Sequence, residues 1–131
     1  MNSTATFLNQ AMRWNGRKRA QAATPDPDGT GTGANNQLTG LSCTAPGNCL
    51  AVGYSWSVSG GTGTVLNEAL RWNGARWSLH AIPDPGGTGN GDVNQLNAVN
   101  CTSTAFCWAV GDRQHAGGAD VNQALRTRSG A

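Results

Sequence analysis

Charge is scarce in this chain. Asp, Glu, Lys and Arg together make up 12 % of its 131 residues, and Glu68 and Lys18 are the only glutamate and the only lysine. The net charge of +2 gives no electrostatic footprint for nucleic acid or an anionic membrane surface. The one basic run, Arg17–Lys18–Arg19, reads as a solvated turn. A single Glu offers no paired glutamates for acid–base work, and His80 and His115 stand apart from any Ser and Asp at a usable spacing. Catalysis, a cofactor and a metal centre are therefore not expected. Long hydrophobic runs are missing as well: none approaches the roughly 20 residues that span a bilayer. The opening Met1–Phe7 has neither a basic start nor an apolar stretch, so no signal peptide is visible.

Glycine, by contrast, is abundant. It accounts for 19 residues, roughly twice ordinary usage, and without the triplet period of collagen. Apolar residues fall in short clusters between Gly-, Asn- and Thr-rich stretches, the pattern of an all-β meander. Five Trp argue against disorder, because disordered chains are poor in aromatics.

The chain repeats itself. Leu66–Gly74 copies Leu8–Gly16 at an offset of 58 residues, and aligning Leu8–Gly53 with Leu66–Gly111 gives 24 identities in 46 positions. Four strand-like pieces make up the unit. In the second copy, Glu68–Trp72 and Ala75–Ile82 flank Asn73–Gly74, a strong two-residue hairpin signal. A two-residue loop pairs Leu70 with Trp77 and Glu68 with Leu79. Leu70, Trp72, Trp77 and Leu79 then share an apolar face. The other pair of pieces is Gln95–Cys101 with Cys107–Gly111, matched in the first copy by Leu38–Cys43 with Cys49–Gly53. The Cys-Trp-Ala-Val-Gly piece is apolar on both faces and so reads as a central strand. Gly40, Ala51, Ala98 and Ala109 are small enough for a crowded axis where sheets converge. Pro25-Asp26-Pro27 and Pro83-Asp84-Pro85 end the strands before them.

Cys43/Cys49 and Cys101/Cys107 are each separated by five residues and face one another across a hairpin tip. An even count at a repeated spacing favours disulfides and an oxidising compartment. Zinc is the rival, although its knuckles prefer two to four residues between cysteines and it would need both pairs, or His80 or His115, brought together.

Leu96, Val99, Cys101 and Cys107–Gly111, then Leu66, Glu68, Trp72–Gly74, Trp77 and Ser78, carry a resemblance to the secreted β-propeller-like repeats of actinobacteria. Their pattern runs Leu-x-x-Val-Ser-Cys-x5-Cys-Trp-Ala-Val-Gly, then Leu-x-Glu-x-Trp-Asn-Gly-x-x-Trp-Ser. The resemblance covers nearly the whole chain and implies four-stranded antiparallel propeller blades and an extracellular location. One blade would hold strands Leu38–Cys43, Cys49–Tyr54, Asn67–Trp72 and Trp77–Ile82. On that frame residues 1–7 are a tail and 8–24 the outer hairpin of a first blade. Residues 38–82 are a complete second blade, 96–126 an incomplete third, and 127–131 a tail. Arg17, Arg19 and Gln21 replace Ala75, Trp77 and Leu79, and Thr127 replaces a Trp. About two and a half blades cannot close a ring of roughly four to eight. Either the chain is a fragment of a longer propeller, or copies assemble into a ring, the Leu8–Thr24 hairpin of one completing the Leu96–Gly111 pair of another.

Strand parity puts the Asn-Gly turns and cysteine tips at one end of the unit. The long polar loops Asp26–Asn35, Ser55–Val65, Asp84–Asn94 and Asp112–Val121 share the other, where binding is expected. Trp56 stands in a loop after Tyr54 and has no repeat partner, since Gln114 takes its place. With Asp84, Asp92, Asp112 and Arg113 these two form the candidate binding set. Trp14, Trp72, Trp77 and Trp108 fall on strands and are expected to pack between units, with sugar stacking as their functional alternative. Asp26-Pro27-Asp28-Gly29 and Gly91–Asn94 lack the closing Glu of an EF-hand and read as ordinary turns. The expected function is a non-catalytic extracellular recognition or scaffold module for glycans or a protein surface. The alternative is an accessory region of a secreted hydrolase whose catalytic residues lie elsewhere.

Overall fold

A computed structural model describes residues 5–58 and 63–128. Residues 1–4 and 129–131 of the two tails, and residues 59–62 of the expected Ser55–Val65 loop, lie outside the described residues. The protein is all-β, with no helix among the described residues. Its strands are β1 (Ala11–Trp14), β2 (Arg19–Ala22), β3 (Asn35–Ala45), β4 (Asn48–Val58), β5 (Gly63–Trp72), β6 (Trp77–Leu79), β7 (Val93–Ser103), β8 (Phe106–Gln114) and β9 (Asp120–Thr127).

Hairpin connections order them into three antiparallel units. β1 and β2 form a two-stranded sheet. β3, β4, β5 and β6 follow as a four-stranded meander. β7, β8 and β9 form the third unit. A single parallel bridge, Val65 to Val93, links the second unit to the third, and Phe7 to Asn35 is its counterpart one unit earlier. Among the described residues no sheet closes on itself. β9 pairs with β8 from Cys107 to Gln114, so a hairpin arriving from another copy would meet the third unit at β9, not at β8.

The Asn-Gly hairpin has a different register from the one expected. Leu70 pairs with Leu79 and Trp72 with Trp77, leaving Asn73–Arg76 as the loop. The Asn73 side chain accounts for the shift. Its Oδ1 accepts the backbone N–H groups of Ala75 and Arg76 at 2.8 and 2.9 Å, and only Gly74, not Asn73, takes a positive φ. Asn15 does the same for Arg17 and Lys18. A shift of two residues preserves the face of every side chain, so Leu70, Trp72, Trp77 and Leu79 still share one side. Glu68, however, pairs with Gly53 on β4 and has no partner in β6. β6 also stops three residues short of Ile82, after which His80 N–H still donates to Ala69 O at 2.9 Å.

Two of the four long loops are strand for half or more of their length. β4 runs on to Val58 and β5 begins at Gly63, so Trp56 lies within a strand, between Asn35 and Val65. β8 and β9 likewise absorb both ends of the Asp112–Val121 stretch. Ser, Thr, Arg and Asp are tolerated there because one face of an antiparallel hairpin is solvated.

The core lies between the second and third units. Leu50, Val52 and Ala69 from one side meet Leu96, Cys107 and Ala109 from the other, with Ile82, Val99, Cys101 and Leu125 packed around them. Each fully buried leucine here stabilises the fold by about 1.5–3 kcal/mol. Small residues permit close approach of the strands: a Cβ on Gly40 would lie 3.1 Å from Ala98 Cα. Thr39 Oγ1 donates to Leu96 O at 2.6 Å, and Ser42 Oγ accepts Cys101 N–H at 2.9 Å across the same seam. The Cys-Trp-Ala-Val-Gly piece, in β8, lies between β7 and β9 as expected of a central strand, but it is β4, between β3 and β5, that is buried on both faces. β8 is buried on one face only, with Cys107 and Ala109 inward and Trp108 and Val110 exposed.

Cys43 bonds Cys49 and Cys101 bonds Cys107, with Sγ–Sγ distances of 2.03 and 2.09 Å. Both pairs sit in direct cross-strand register at a hairpin tip. Two disulfides are consistent with an oxidising, extracellular environment.

Candidate functional site

The end of the molecule away from the cysteine tips is a scaffold of buried amides. Asn94 Oδ1 accepts Gly86 N–H at 2.7 Å, while its Nδ2 donates to Val65 O and Gly87 O. Asn36 makes the same three contacts with Asp28 N–H, Phe7 O and Gly29 O. Each amide thereby ties a loop to the parallel bridge between units, and both are buried.

The carboxylates at this end serve the same purpose. Asp84 Oδ1 accepts Asn67 N–H at 2.7 Å, and Asp26 repeats the contact with Asn9. Burial raises the Asp84 pKa, and the Asn67 N–H opposes the rise. Asp92 accepts Gly89 N–H and Ala116 N–H at 2.8 Å each. Those two donors, with His115 adding a smaller effect, hold its pKa below the usual carboxylate range. His115 is not isolated: its Nδ1 lies 2.9 Å from Asp92 Oδ1. His80 is not isolated either, with Nε2 2.9 Å from Thr127 Oγ1. Burial first, and then the charge of Arg71, lowers the His80 pKa. Among the described residues, no three His, Cys, Asp or Glu side chains cluster to hold a metal ion.

A different set of side chains faces outward. Trp56 pairs with Asn35 and Tyr54 with Gln37, so all four project from one face of the β3–β4 hairpin. Tyr54 OH donates to Gln37 Oε1 at 2.8 Å, and Gln37 Nε2 donates to Asn35 Oδ1 at 3.1 Å. Beside this chain of polar groups Trp56 is 44 % exposed. It lies against Gly63, where any Cβ would collide with Nε1. The arrangement is a fixed aromatic surface flanked by amide and phenol groups. No known protein family, curated protein or solved structure matches the chain.

Of the six expected binding residues, the structure brings only Tyr54 and Trp56 together. Asp112 and Arg113 lie on β8 of the next unit, where Asp112 takes the position equivalent to Tyr54. Asp112 Oδ1 accepts Asn97 Nδ2 at 3.3 Å, and Arg113 Nη1 donates to Pro85 O at 3.4 Å. Asp120, next to Asp112, has its pKa raised by desolvation and then by the charge of Asp112. Asp84 is committed to the backbone of β5 at Asn67 and Asp92 to the loop backbone at Gly89 and Ala116. Asn35 and Gln37 were missed: the Cys43–Cys49 register extended straight would set them opposite Ser57 and Ser55, and only the bulge between Leu38 and Gly40 brings them opposite Trp56 and Tyr54. The strand tryptophans divide: Trp72 and Trp77 pack with ring centroids 5.6 Å apart, whereas Trp14 and Trp108 are exposed.

Proposed function

We propose that the chain is a non-catalytic, extracellular recognition module of β-propeller-type repeats that binds a glycan on the Trp56 surface. The observation that carries this reading is the ladder of Asn35, Gln37, Tyr54 and Trp56 on one strand pair. An indole face suits the C–H surface of a sugar ring, and neighbouring amide and phenol groups suit its hydroxyls. The buried amides Asn36 and Asn94 keep the surrounding loops rigid, which limits the ordering cost of binding. The ring face of Trp56 and the amide of Asn35 would both meet the ligand.

The four-stranded β3–β6 meander, its small residues on the seam with β7 and its short outermost strand support the blade interpretation. A glycan array probed with wild type and Trp56→Ala tests the function. Wild-type binding that falls at least about tenfold in the variant, a difference of about 1.4 kcal/mol, supports the reading. Absence of sugar binding by the wild type rejects it and leaves a protein ligand ahead.

A further inference from the structure

The interface between the second and third units has two sides, and each side recurs, uncovered, at the opposite extremity of the molecule. Leu50, Val52 and Ala69 form one side, and they are fully or almost fully buried by the third unit. Their counterparts on the third unit are Trp108, Val110 and Ala124, which face no further sheet. Trp108 is 53 % and Val110 45 % exposed. Val110 and Ala124, with Asn97, Asp112 and Asn122, line a shallow groove of about 540 Å³.

The other side of the interface includes Leu125, which packs into the same core. Its counterpart on the second unit is Leu70, buried together with Trp72 on the face turned toward the β1–β2 sheet. In that sheet the equivalent residues are Met12 and Trp14. Cross-strand pairing of Ala11 with Ala22 puts those alanines on the half-buried side toward the second unit. Met12 and Trp14 alternate with them onto the other face of the strand pair, where they are 61 % and 60 % exposed, while both also border the cavity shared with Cys43, Cys49 and Trp72. Four large apolar side chains in water on two flat sheet faces mark an interaction surface, not ordinary scattered exposure.

We propose that the Trp108/Val110/Ala124 face of one molecule docks on the Met12/Trp14 face of a second copy, head to tail. The contact continues, between molecules, the joint already formed inside each molecule. Sheet-on-sheet packing of this kind needs no strand exchange, so it is compatible with β9 occupying the edge of β8. Because the two faces differ, the contact is heterologous, and it propagates until the rotation closes a ring or runs on as a filament.

Sedimentation of the oxidised full chain from about 1 μM to about 1 mM, the range of weak to moderate affinities, provides the test. The wild type should self-associate in a concentration-dependent manner. Val110→Lys, which spoils only the head, and Met12→Lys, which spoils only the tail, should each remain monomeric. Both positions are exposed, and circular dichroism checks that both variants fold. An equimolar mixture of the two variants should form a dimer and stop there, since one intact head remains for one intact tail. A monomeric wild type throughout the range overturns the proposal. So does self-association of Met12→Lys alone, which indicates a head-to-head contact, or of Val110→Lys alone, which indicates a tail-to-tail one. Folded variants that fail to combine in the mixture overturn it as well.

Discussion

The side chains of Asn67 and Gln123 exchange two hydrogen bonds, Nδ2 to Oε1 and Nε2 to Oδ1, each 3.1 Å long. Gln123 Nε2 also reaches the backbone oxygens of Gln95 and Asp112. Asn9 and Glu68 are the counterparts one unit earlier, and there the relationship is incomplete. Asn9 Oδ1 and both Glu68 carboxyl oxygens are buried without a hydrogen-bond partner. Burial pushes the Glu68 pKa from 4.5 up to about 8, against the pull of the Asn9 side chain and with a smaller push from Asp26. A protonated Glu68 is the nearest chemical equivalent of Gln123, because only the protonated acid has a hydrogen to donate.

This gives stability a defined pH dependence. The folded state holds the Glu68 proton more tightly than the unfolded state, so the contribution is fully present below about pH 4.5 and is lost as pH rises to about 8. Glu68→Gln removes that dependence. The variant should be more stable than wild type by about 1–3 kcal/mol at pH 9, and within about 0.5 kcal/mol of it at pH 4.5. Urea unfolding at the two pH values measures the difference. Equal effects at both would mean that Glu68 does not titrate in this window.

Gly53 and Gly111 sit in β4 and β8 at the bulges opposite Leu38 and Leu96. A Cβ on Gly53 would run into Gln37 O, and one on Gly111 into Gln95 O. Gly53→Ala should destabilise by about 3 kcal/mol, the upper end for forcing a methyl group into packed structure. Gly31→Ala, with nothing within 4 Å of the added carbon, should change stability by less than about 0.5 kcal/mol. Thermal melts of both variants provide the comparison.

The two disulfides close loops of the same length but differ in their surroundings. Replacing Cys43 and Cys49 by Ala should cost about 2 kcal/mol, the chain-entropy value for so short a loop. Replacing Cys101 and Cys107 should cost more, because Cys107 is fully buried in the core and Cys101 packs beside it. Denaturant midpoints of the two double variants should therefore fall in that order, and the reverse order would remove the argument from packing.

Asn94→Ala would strand Gly86 N–H and two carbonyl oxygens at a buried position. A loss of about 2–4 kcal/mol is expected from leaving such groups unsatisfied. Amide exchange should accelerate chiefly in residues 84–94, with the β3–β4 hairpin remaining protected.

The sequence showed the all-β class, the 58-residue spacing, the cysteine pairs and the ends to which turns and loops belong. These properties depend on local alternation, turn residues and parity. It misjudged the Asn73–Gly74 register because the Asn73 side chain caps two backbone N–H groups, a choice that the dipeptide signal does not specify. It assigned Trp56 to a loop because the flanking Ser, Thr and Gly residues resemble linker composition. It placed Asp84 and Asp92 among the binding candidates because an acidic residue in a loop looks the same whether it meets a ligand or a neighbouring N–H. The Asn67–Gln123 pair was illegible for a further reason: it joins residues on different units, and no short-range pattern specifies that contact.

The hairpin-tip disulfides also bear on fidelity during folding. Two stretches as alike as Asn36–Leu38 on β3 and Asn94–Leu96 on β7 can compete for the same partner strand, and near-identical neighbours are prone to exchange elements. A bond between Cys43 and Cys49 commits β3 to β4 within a span of six residues, and Cys101–Cys107 commits β7 to β8. Once formed, each bond removes the crossed pairing of β3 with β8 from the accessible states. The cysteines thereby act as a proofreading device for a chain that resembles itself.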